Sequence, residues 1–79
     1  MKFYIKHSMT GRLRVHMDMK HMSFKQADIL EYYIKNIETV TSVKVYEKTC
    51  DAVIEFKGDK AQIINELKHF TYSPGGGPE

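Results

Sequence analysis

The chain opens on a strict alternation. Odd positions from Phe3 through Ile5, His7, Met9, Gly11, Leu13, Val15 and Met17 are mostly apolar or small, and the even positions between them are mostly polar. This is strand periodicity, kept in phase across a Met-Thr-Gly break. A straight strand over residues 2–18 would run to about 55 Å at about 3.3 Å per residue, too long for so short a chain. The chain must bend, bulge or turn near Ser8–Gly11, where Gly11 permits dihedrals that other residues avoid. One bent first strand is the preferred reading, and a hairpin at 8–11 is the alternative.

After a loop at 19–22 the period changes. Ser23 and Gln26 have the spacing of a capping box, and Phe24, Ala27, Leu30, Tyr33, Ile34 and Ile37 recur at helical intervals. This predicts an amphipathic helix ending near 36–38. Ser42–Thr49 and Ala52–Lys57 alternate as two strands, and the gap at Thr49, Cys50 and Asp51 is of hairpin length. Asp59 caps a second helix, with Gln62 at the box position and a stripe of Ala61, Ile64, Leu67 and Phe70 helped by Ile63. A last short strand at 70–73 is possible. The order βαββα(β) implies an α+β fold of ferredoxin-like type, an antiparallel sheet with two helices on one face. Residues 1–72 form the domain, and 73–79 (SPGGGPE) read as a flexible linker or tail.

Composition adds limits. Seventy-nine residues make one domain, and a formal charge of +2 is too small to imply a nucleic-acid or membrane partner. No apolar run is long enough to span a bilayer, so this segment is not expected to insert in a membrane directly. A single cysteine, Cys50, excludes an internal disulfide framework and suits a reducing compartment. There is no phosphate-binding glycine loop and no plausible acid pair, so the chain is expected to be non-catalytic. Tyr4 and Tyr46 lack the pattern of an RNA-binding sheet, and no nucleic-acid partner is expected.

The candidate chemistry lies in the first third. His16, Met17, Met19, His21 and Met22 crowd into the run HMDMKHM. Thioether and imidazole are ligands for soft and borderline cations, so these residues, with His7 and Met9, are the metal candidates. The plainer reading of the methionines is core or loop packing, and of His16 and His21 solvent exposure. His7 stands alone as a polar side chain on the apolar face of the first strand. Arg12 and Arg14 project from one face two residues apart, an arrangement able to clamp carboxylate or phosphate.

The segment Ser8-Met9-Thr10-Gly11-Arg12-Leu13-Arg14 resembles the metal loop of heavy-metal-associated domains, which reads Gly-Met-Thr-Cys-x-x-Cys in that family. Val40-Thr41-Ser42-Val43-Lys44-Val45 and Thr49 through Phe56 resemble the family's second strand and the hairpin into its third. The nearer resemblance is to a divergent branch with His-x-x-x-Gly-Arg-Leu-Arg in place of the cysteine loop, matched here by His7, Gly11, Arg12, Leu13 and Arg14. That branch stands at the N-terminus of bacterial heavy-metal-translocating P-type ATPases.

The two cysteine positions of the family are Gly11 and Arg14, which offer no thiolate. The resemblance therefore implies a cytosolic regulatory or docking module of a metal-transporting ATPase, on the cytoplasmic side of the membrane. Its partners would be the pump's own cytosolic domains, met through Gly11, Arg12 and Arg14. No cofactor is required, and a transition metal ion (Cu, Zn, Cd, Co or Ni) is the candidate ligand. The alternative is a free-standing metal carrier or sensor using His and Met.

Overall fold

The structure, a computed structural model, describes residues 2–71. Six elements follow one another: β1 (Phe3–Met9), β2 (Arg12–Met17), α1 (Phe24–Lys35), β3 (Val40–Tyr46), β4 (Asp51–Phe56) and α2 (Lys60–His69). The four strands form one sheet in the order β1-β2-β4-β3, with every neighbouring pair antiparallel. The molecule is a small α+β fold with a four-stranded antiparallel sheet and two helices.

The opening alternation is a hairpin and not one bent strand. Met9 pairs with Arg12 across a two-residue turn, Thr10-Gly11, and Gly11 takes φ +78. A two-residue turn sets odd positions of β1 opposite even positions of β2, which would contradict the shared odd-position apolar face. A bulge resolves the conflict. Phe3 pairs with Met17 and Ile5 with Val15, the register then shifts, and His7 pairs with Arg14. One extra residue moves everything beyond it to the other face of the sheet. His7 and Met9 thus leave the apolar face assigned to them by parity and join the solvent-facing side.

The second hairpin also sits elsewhere than expected. Its turn covers residues 47–50, Thr49 N–H donates to the Tyr46 carbonyl at 3.3 Å, and Asp51 already belongs to β4. Cys50 closes the turn at φ 60. Its side chain is buried.

The core is built by the central strands and the helices. Leu13, Val15 and Met17 of β2, Ala52, Ile54 and Phe56 of β4, Leu30 and Ile34 of α1, and Ile63 and Leu67 of α2 form one buried cluster. Full burial of each large aliphatic side chain contributes about 1.5–3 kcal/mol. Phe24, expected in the α1 stripe, is 75% exposed. Its position in the first turn lies beyond the edge of the sheet-facing arc.

Local chemistry sets the helix ends. Ser23 and Gln26 form both bonds of the capping box. Asp59 accepts from Ala61 N–H at 2.9 Å, one residue short of the box position. Tyr33 ties the helices together by donating to the Glu66 carbonyl and side chain, each at 3.0 Å, with its ring 4.7 Å from that of Phe70. Phe70 is the C-cap of α2 and is buried, and Thr71 is not in a strand. The rest of the strand expected at 70–73, and the tail at 73–79, lie outside the described residues.

Candidate functional site

The face of the sheet opposite the core cluster carries the charged chemistry. Register places its side chains in rows. Tyr4, His16, Asp51 and Tyr46 lie across β1, β2, β4 and β3, followed by His7, Arg14, Val53 and Lys44, then Met9, Arg12, Glu55 and Ser42. Alternation along β2 and β4 dictates this: the residues between these point into the core.

Asp51 is the centre of the face. It is fully buried, although it belongs to the open side. Its Oδ2 accepts from Arg14 Nη2 at 3.0 Å and from Lys6 Nζ at 3.3 Å, and its Oδ1 lies 2.7 Å from His16 Nδ1. Burial alone would push this carboxyl up. The bonds from His16, Arg14 and Lys6 outweigh it and hold the carboxyl below its ordinary range. The three partners remain 36–48% exposed at their side chains, so they roof the carboxylate while keeping their own contact with water. Tyr4 stacks on the outer side of His16, with centroids 6.3 Å apart and planes 19° apart.

A shallow groove lies beside this cluster, lined by Lys6, His7, Met9, Arg12 and Arg14 with Val53. Arg12 forms no ion pair among the described residues, although Glu55 is its register partner. Lys44 lies over the Tyr46 ring at 5.9 Å. The face therefore presents four fixed cations, Lys6, Arg12, Arg14 and Lys44, against the carboxylates of Asp51 and Glu55. That excess equals the formal charge of the whole chain, +2.

Of the candidate metal ligands, the structure brings together in the groove His7 and Met9 alone among the described residues. His7 and Met9 line the groove, and His16 is engaged with Asp51. Met17 and Met22 are buried in the core, while Met19 packs against it from the loop after β2. His21 is exposed in that loop. No group of three or more His, Cys, Asp or Glu side chains able to hold a metal occurs among the described residues. Cys50 is 3% exposed, and burial, with the Asp51 charge second, pushes its thiol up.

Gly11 sits at the tip of the β1–β2 hairpin, next to the start of β2, and its carbonyl accepts from Phe56 N–H at 3.0 Å. Arg12 and Arg14 do share one face, as their spacing requires. Sequence reasoning missed Lys6 and Asp51. The available signal was the alternation of Asp51, Val53 and Glu55, which puts an acid on the same face as Arg14 and His16 once β2 and β4 are paired.

No protein-family model, curated protein or solved structure matches the chain. No helix among the described residues is long and apolar enough to cross a membrane.

Proposed function

We propose that the chain is a non-catalytic regulatory or docking module of a bacterial heavy-metal-translocating P-type ATPase, working on the cytoplasmic side of the membrane. In this reading the fold is ferredoxin-like. The run β2-α1-β3-β4-α2 has the order βαββα, and β1 fills the sheet edge beside β2. The module belongs to the divergent branch of heavy-metal-associated domains in which Gly11 and Arg14 take the cysteine positions. The transported ion is cargo of the parent pump, and the module meets the pump's cytosolic domains through its open sheet face.

The observation that carries this reading is the cationic groove around Arg12 and Arg14, next to a hairpin tip that offers no thiolate. Guanidinium groups at alternate positions of one strand suit carboxylates on a partner surface. The scattered His and Met side chains give a metal no convergent first shell among the described residues, which disfavours the carrier or sensor alternative.

Two measurements test the proposal. Backbone NMR shifts during titration with Cu(I), Zn(II) and Ni(II) should show no site of micromolar or tighter affinity in residues 7–22. The soluble cytosolic domains of the parent pump, added in trans, should shift residues of the open face. Tight metal binding at 7–22, or a coding frame that lacks membrane spans and an Asp-Lys-Thr-Gly signature downstream, would overturn it.

A further inference from the structure

We propose that the groove between β1 and β2 is a binding site for an extended acidic segment of a partner protein, whose alternate carboxylates pair with Arg12 and Arg14. The inference rests on the docking reading above and names the chemistry of the partner.

Three features select this ligand class. The first is spacing. Arg12 and Arg14 lie two residues apart on one face of β2, about 6.6–6.8 Å along the strand. An extended peptide repeats its own side chains at that interval, so Asp or Glu at alternate positions meets both guanidiniums in one register. The second is shape. The groove is shallow and open, with Val53 and Met9 as its apolar lining. A small anion would be held from one side only, whereas a chain laid along the groove makes several contacts at once.

The third feature is charge and its fixation. Asp51 is a positioning residue here: its buried carboxylate draws Lys6 and Arg14 toward one point and so fixes the wall of the groove. Arg14 carries five N–H donors, and the bond to Asp51 uses a single Nη2, leaving further donors for a ligand. Arg12 has no ion pair among the described residues and is exposed. Lys44 extends the positive field toward β3, and among the described strand residues Glu55 is the acid that shares this face with Asp51.

Other macromolecules fit less well. A single-stranded nucleic acid wants aromatic platforms beside its phosphates. Tyr4 and Tyr46 stand on the outer strands in the row with Asp51, and neither lines the groove. A membrane surface wants protruding apolar side chains to insert, and the groove is a depression.

The test uses the isotope-labelled full chain and a blocked eight-residue peptide alternating Glu and Thr. Expected shifts centre on residues 6–14 and 53, weaken as salt rises from 50 to 300 mM, and saturate. Arg12→Ser removes no internal ion pair and should weaken the peptide about fivefold, the scale of a partly exposed charge pair. The same peptide with Lys for Glu, an oligouridine, and phosphatidylserine vesicles complete the set. Absence of shifts in the groove, an Arg12→Ser variant that binds the Glu peptide unchanged, or tighter binding of oligouridine or vesicles at these residues would overturn the site. If the Glu peptide binds as expected but the pump's cytosolic domains do not, the groove stands and the pump reading falls. If the pump domains shift the open face while the peptide fails, the pump reading stands and the groove falls.

Discussion

His16 Nδ1 lies 2.7 Å from Asp51 Oδ1, and the two residues are also direct register partners between β2 and β4. A fully buried carboxylate thus sits on the side of the sheet that faces water, enclosed by side chains that are themselves wet. Breaking a fully buried ion pair commonly costs about 3–5 kcal/mol because a charge is left stranded. Here the stranded partners, Lys6, Arg14 and His16, can turn to solvent. Asp51→Asn is therefore expected to lose about 1–3 kcal/mol at pH 7, the scale of hydrogen bonds to a charged group. Urea denaturation of the two proteins measures it.

The same carboxylate gives acid sensitivity with a definite sign. Its folded pKa is lowered, so its contribution is complete above the unfolded value of about 3.9 and is lost as pH falls through the folded value. Wild type and Asp51→Asn should differ most at pH 5–7 and converge as pH falls through the lowered folded value. Stability curves from pH 7 to pH 2 that remain parallel would refute the assignment.

Gly11→Ala separates conformational strain from crowding. A Cβ at Gly11 would meet the Phe56 carbonyl oxygen at 3.5 Å, an ordinary contact, so the cost comes from φ +78. It should be about 1–2 kcal/mol by thermal or urea unfolding. Gly58, at φ +91 with open space around it, should show a cost of similar size on the same change.

Two positions of the α1 stripe should respond very differently. Leu30 is fully buried and Phe24 is 75% exposed. Leu30→Ala is expected to cost about 2–5 kcal/mol, and Phe24→Ala no more than about 0.5 kcal/mol. Equal losses would mean that Phe24 is covered in solution.

Cys50 should react slowly with a thiol reagent. It is buried in its turn, and its thiol is pushed up by burial and by Asp51. Modification at pH 7.5 should be on the order of tenfold or more slower in buffer than in denaturing urea, since thiolate and access are both scarce. Comparable rates would show that the 47–50 turn opens readily.

Much of this fold was legible in the chain. The Ser23–Gln26 box, the Asp59 cap, the buried positions of β2 and β4 and the shared face of Arg12 and Arg14 all follow from spacing. Parity could not reveal the bulge after Ile5. Alternation in phase across residues 3–17 suits a bent strand, and it equally suits a tight hairpin with one inserted residue. That ambiguity hid the placement of His7 and Met9. Asp51 was harder still. Its burial depends on three side chains brought from 35 to 45 residues away in sequence, so alternation places the acid on that face without showing that it is enclosed.

Both outermost strands are irregular: β1 shifts register between Ile5 and His7, and β3 between Val40 and Ser42. A flat, unbroken border would offer a template for a neighbouring molecule to zip on, and such kinks spoil that template. The domain can thus leave one broad side uncovered for recognition while its rims resist growing into a continuous ribbon of copies.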